Sequence, residues 1–194
     1  MKVHPRPYVM TARADSAAAT RARLIESAAT LLGANTFDAM TLEAIAAGAA
    51  TTPRTALRIF GSKEALFAAA LDRVGESGFG PVRPGDVDAT LDSLYDFYEM
   101  FGDMVIRWLA DEPRIPAMRD HLNEGRRNLR AWVGESFAPT LDRLEGGARK
   151  QMLDALIVAL DVYTWKLARR DFGLSRKAAE AVARRIVAAL TEGG

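Results

Sequence analysis

Residues 41–66, TLEAIAAGAATTPRTALRIFGSKEAL, read as two short helices joined by a tight turn and followed by the start of a third. Thr41 supplies a hydroxyl N-cap, and Glu43 places an acid in the first turn, where the helix dipole favours it. Leu42, Ile45, Ala46 and Ala49 recur at spacings of three and four, which marks the inward stripe of the first helix. Ala50-Thr51-Thr52 leaves room only for a turn. Thr52 then caps a second helix whose first residue is Pro53, a position where the missing N–H costs nothing. That helix holds Thr55 to Phe60 and stops at Gly61; Ser62 caps the next, with Lys63 and Glu64 in its first turn. The spacing is that of a helix-turn-helix.

The second helix spans only about two turns, so neighbours must hold it. Its outward positions are Thr52, Pro53, Arg54, Thr55 and Arg58, hydroxyls and guanidinium groups with no acid among them. Such a surface suits a DNA major groove, where Arg reads guanine and Thr donates to phosphate or touches a thymine methyl. An ordinary helical hairpin with a polar face has the same spacing, and spacing alone leaves both readings open.

Residues 20–70 resemble the N-terminal domain of the TetR family of one-component transcriptional regulators. The likeness rests on the run Thr20–Leu32, on Phe37, on T-L-x-x-I-A from Thr41 to Ala46, on Thr52 and Thr55, and on F-x-S-K-E-x-L from Phe60 to Leu66. It covers about a quarter of the chain. The resemblance implies a homodimer whose paired recognition helices bind a palindromic double-stranded DNA operator, usually to repress, with release by a small ligand. The candidate DNA contacts, taken from the outward face of the second helix and the capped starts beside it, are Thr41, Thr52, Pro53, Arg54, Thr55, Arg58 and Lys63, the last meeting phosphate at a helix N-terminus. Three positions depart from the family pattern: Arg54 stands where Gly is usual, Leu57 where Tyr is usual, and Ile59 where Tyr or His is common.

Composition agrees with one sizeable core or two small helical units: 194 residues, 49% of them hydrophobic. Net charge is only +1, but residues 1–71 hold eight Lys/Arg against five acids, so the N-terminal part carries +3 and the remainder −2. That sign suits a DNA-binding N-terminus. With no cysteine there is no disulfide, thiol nucleophile or thiolate metal site, which fits a cytoplasmic protein. No apolar run approaches the 18 or so residues that a membrane span needs.

The expected architecture is all-α, with about nine helices in two parts. Residues 1–19, carrying Pro5 and Pro7, read as a mobile arm, or as one whose Arg6 or Arg13 touches a minor groove. Residues 20–74 form the DNA-binding domain, with a first helix over 20–33. Residues 75–88 (GESGFGPVRPGDVD) are rich in Gly and Pro and read as a linker. Residues 89–194 form a helical effector-binding and dimerisation domain, with helices expected over 89–100, 101–110, 116–137, 149–171 and 175–190.

The last two of these helices look built for association. The candidate dimer interface is Leu156, Leu160, Tyr163, Leu167, Val182, Ile186 and Ala189, part of an apolar face broader than one core contact requires. The aromatics and Met of the helices before the final one are core residues in most such proteins. Some of them, Tyr98, Met104, Trp108, Trp132 and Trp165, with Arg107 and Asp161 as polar groups, are candidates for an apolar pocket that takes a small apolar or amphipathic effector. Effector binding there would shift the fourth helix and change the separation of the recognition helices.

Catalysis finds no support. Only His4 and His121 are present, and there is no nucleophile elbow, glycine-rich phosphate loop or paired-His metal motif, so neither a cofactor nor a metal is expected. The competing reading, motivated by Leu57, Ile59 and the near-neutral charge, is a helical small-molecule binding or interaction protein whose DNA reading has degenerated.

Overall fold

The computed structural model describes residues 8–75 and 78–192, which are helical with no strand among them. After Pro7 nothing in the sequence breaks a helix before Gly33, and α1 accordingly runs over Tyr8–Ala34. Residues 8–19, expected in the arm, are therefore helical, because their Ala- and Arg-rich composition favours the helix as strongly as the segment after them. Residues 1–7, with Arg6, lie outside the described residues.

The chain divides into two units, Met1–Glu76 and Ser77–Gly194. In the first, α2 (Leu42–Gly48), α3 (Pro53–Phe60) and α4 (Lys63–Gly75) gather against α1. Leu24, Ala28 and Leu32 of α1, with Ile45, Ala46, Ala56, Leu66, Phe67 and Leu71, are shut off from solvent and form the core of this unit. Phe37 stands edge-on to Phe67 with ring centroids 4.6 Å apart and closes this small core.

Seven residues cannot satisfy their own C-terminal carbonyls, so α1 does it for α2. Ser27 donates its hydroxyl to the Ile45 carbonyl at 2.9 Å, and Arg23 Nε donates to that of Ala49 at 3.2 Å. The close approach requires Gly48, since a Cβ there would fall 2.3 Å from Ser27 Oγ.

The second unit is built on α5 (Val87–Asp111) and α6 (Pro116–Ser136), followed by α7 (Ala138–Leu141), α8 (Gly146–Ala159), α9 (Val162–Lys166) and α10 (Arg176–Glu192). Two helices were expected over 89–110; one forms. Gly102, the one residue there able to interrupt it, instead lets the Trp165 indole lie against the helix, where a Cβ would be 2.5 Å from the ring. Conversely, the single helix expected over 149–171 is interrupted at Leu160-Asp161. Asp161 accepts from the Tyr163 N–H at 2.9 Å and Thr164 donates its hydroxyl to the Val158 carbonyl, so side chains here offer the backbone an alternative to continued helix. After α9 the chain makes a π-helical turn over Leu167–Asp171, where the Phe172 N–H reaches back five residues to the Leu167 carbonyl.

The expected linker is also structured beyond residue 77. Phe79 packs on Phe97 and Trp132, and Trp132 Nε1 donates to the Gly80 carbonyl at 2.9 Å. Asp86 caps α5 by accepting from the Ala89 N–H, so the helix starts at Val87, two residues before the expected start. Residues 78–86 belong to this unit because their aromatic and carbonyl groups have partners in α5 and α6.

Candidate nucleic-acid interface

The turn between α2 and α3 is a complete Schellman motif. The Thr51 N–H reaches the Ala46 carbonyl at 2.9 Å and the Ala50 N–H reaches that of Ala47 at 3.1 Å. Ala50 adopts φ +51°, a left-handed conformation usually given to glycine. Thr52 then caps α3, accepting from the Thr55 N–H at 3.2 Å, while the two hydroxyls lie 3.0 Å apart. Thr41 performs the same service for α2, accepting from the Ala44 N–H. These candidate DNA ligands thus set the backbone geometry, and their hydroxyls keep spare hydrogen-bonding capacity.

Pro53 starts α3, Ala56 is its buried anchor, and Phe60 at its far end lies under the Arg21 guanidinium, 5.1 Å from the ring centroid. At about 100° per residue this orientation sends Arg54, Thr55 and Arg58 outward. Arg54 and Arg58 are exposed, and Thr55 is half-buried. No acid lies on the helix. Leu57 stands on the shoulder of this face and is also exposed.

Lys63 differs from expectation. Its Nζ donates to the Phe37 carbonyl at 2.8 Å and sits 4.1 Å over the Phe37 ring. The lysine therefore ties the start of α4 to the loop after α1, rather than standing free at a helix N-terminus. The carbonyl that draws it in is offered by the irregular loop, which spacing along α4 could not reveal.

The other candidate sets divide in the structure. Tyr98, Asp161 and Trp165 share one cavity with Leu94, Tyr95, Ala159, Leu160 and Ala183, but its volume is about 10 Å³, scarcely space for one water. Burial holds the Tyr98 hydroxyl well above its usual pKa, so it remains a donor, to the Leu160 carbonyl at 3.0 Å. Burial likewise raises the Asp161 carboxyl, opposed by the Tyr163 N–H and Arg126. Met104, Arg107, Trp108 and Trp132 do not line this space. Met104 and Trp108 are buried, Trp108 beside His121 with ring centroids 5.3 Å apart, and Trp132 serves the Phe79 loop.

Of the candidate dimer residues, Leu156 and Leu160 are buried in the unit's own core and cannot face a partner. The wide apolar stripe is two faces: one packs on α6 and α10 from α8 and on α5 from α9, and the other lies open. Tyr163, Leu167, Val182, Ile186 and Ala189 are exposed, and so are Val158 and Phe172, which the reading of the sequence did not include.

Residues 24–70 match the family model described as bacterial regulatory proteins, tetR family. No curated protein matches the chain. Among solved structures, a candidate transcriptional regulator from Pseudomonas aeruginosa PAO1 is 16% identical, with a TM-score of 0.62 over 89% of this chain and 90% of that one. A candidate TetR-family transcriptional regulator from Mesorhizobium loti MAFF303099 is 17% identical, with a TM-score of 0.57 over 91% of this chain and 95% of that one. At such identities the likeness is one of fold.

Proposed function

We propose that this chain, a TetR-family DNA-binding transcriptional regulator by its residues 24–70, acts as a repressor that grips a palindromic operator as a two-fold dimer and releases it when a small effector binds the second unit. The observation that carries the DNA reading is α3 itself: an acid-free helix with Arg54 and Arg58 in solvent, held from behind by Ala56 and Phe60. Arginine supplies phosphate attraction and bidentate contact to guanine; Thr52 and Thr55 add hydroxyls for phosphate.

A dimer doubles this small surface and matches two half-sites one turn apart, about 34–36 Å. The exposed apolar residues of α8 to α10 support that part of the reading. The effector, apolar or amphipathic, would lodge among the aromatics of the second unit. Since the space beside Asp161 holds scarcely one water, binding requires a more open conformer, and the effector acts by favouring it.

Selection from random duplex DNA, followed by anisotropy titration at several salt concentrations, tests the reading. A palindromic consensus with strongly salt-dependent affinity is expected. Arg58→Ala should then cost about 1–3 kcal/mol on that operator and relax preference at one base pair. No consensus, with equal weak retention of all duplexes by both proteins, would sink the proposal.

A further inference from the structure

Leu57 is the one large apolar side chain left exposed among the described residues of the first unit, at 41%. It lies on α3, a helix of eight residues, and cannot turn inward, because Ala56 and Phe60 hold the buried side. Arg54 precedes it by three residues and Arg58 follows it directly, both exposed, so the leucine stands among cations that suit a polyanion. An isobutyl group has nothing to offer a phosphate. In a major groove its complement is the C5-methyl of thymine, the one apolar group the base edges display.

We propose that Leu57 reads a thymine methyl once in each half-site, next to the contacts of Arg54 and Arg58. The inference rests on the DNA-binding reading above and adds a base identity to it. Leu57 selects thymine over cytosine without any hydrogen bond, by taking that methyl out of water beside its own exposed surface. Burying one such carbon contributes about 0.8 kcal/mol, roughly fourfold in affinity.

Deoxyuridine differs from thymidine only by this methyl. Each thymine of the selected operator is replaced by it in turn, and the wild-type chain and Leu57→Ala are titrated against every duplex. At one position per half-site the wild type should lose roughly fourfold, while Leu57→Ala binds the two duplexes equally. Uracil tolerated by the wild type at every position overturns the inference, and so does a loss that persists in Leu57→Ala. A uniform fall for Leu57→Ala on thymine and uracil duplexes alike, without methyl sensitivity in the wild type, would mean a sugar contact instead. Operator binding without methyl sensitivity leaves the regulator reading standing; failure to select any duplex removes both.

Discussion

At the scale of single residues, side chains chosen for one task often perform another. Lys63 carries a charge at a helix start, where a phosphate would sit, yet its ammonium donates to the Phe37 carbonyl and lies over the Phe37 ring. Lys63→Ala should therefore cost about 1–2 kcal/mol of stability in the first unit. It should leave the slope of log affinity against log salt unchanged; a slope reduced by about one would restore the phosphate contact. Calorimetry and salt titration separate the two. Ala50 stores strain of the opposite kind, since its φ of +51° costs a residue with a Cβ about 1–2 kcal/mol. Ala50→Gly relieves it at some cost in unfolded-state entropy, for a net gain of roughly 0.5–1 kcal/mol visible as a higher urea midpoint.

At the scale of elements, the second unit is fastened by ion pairs along one face of α5. Asp88, Asp96, Glu99 and Asp103 face Arg184, Arg176, Arg169 and Arg170. The π-helical turn makes half of this ladder possible. By inserting a residue into the helical repeat it turns Arg169 and Arg170 together toward Glu99 and Asp103, and lays Arg170 over the Trp165 ring at 4.5 Å.

Glu99 is the tightest member. Arg169 grips both its oxygens and Trp165 Nε1 donates to one of them. The Arg169 hydrogen bond first, and that of Trp165, outweigh partial burial and lower its pKa from 4.5 to about 2. A depressed folded-state pKa means the contribution is complete above 4.5 and is lost as pH falls toward 2. Glu99→Gln should consequently destabilise at neutral pH, and its deficit relative to wild type should shrink through that window. Urea midpoints measured from pH 6 to pH 2 would show it; a deficit that does not change with pH would mean that the carboxylate's charge contributes nothing.

At the scale of the whole molecule, the open apolar face of α8 to α10 is the strongest pointer to assembly. Val158 and Phe172 are 69% and 68% exposed, and Tyr163, Leu167, Val182 and Ile186 join them. Patches of this composition mark association surfaces. On the proposed dimer, Ile186→Glu should convert dimer to monomer in sedimentation, leave the helical signal intact, and weaken binding to the proposed operator at least tenfold, since each half-site then binds alone. A dimer that survives the change would place the interface elsewhere.

The elements of residues 41–66 were legible in sequence because their determinants are local. A capping hydroxyl, a proline at the first helical position and a terminating glycine act on neighbours within a turn, and Thr41, Thr52, Pro53, Gly61 and Ser62 do so. The tetR-family likeness was legible for the same reason, being carried by that contiguous stretch. Distant partners decided the rest. Nothing near Lys63 announces the Phe37 carbonyl 26 residues away, and nothing near Gly102 announces Trp165. Apolar periodicity marked one wide stripe over residues 149–171 without dividing Leu156, buried in the core, from Tyr163 and Leu167, open to solvent. A stripe records which side chains avoid water, and only the tertiary structure decides which of them its own chain has already covered.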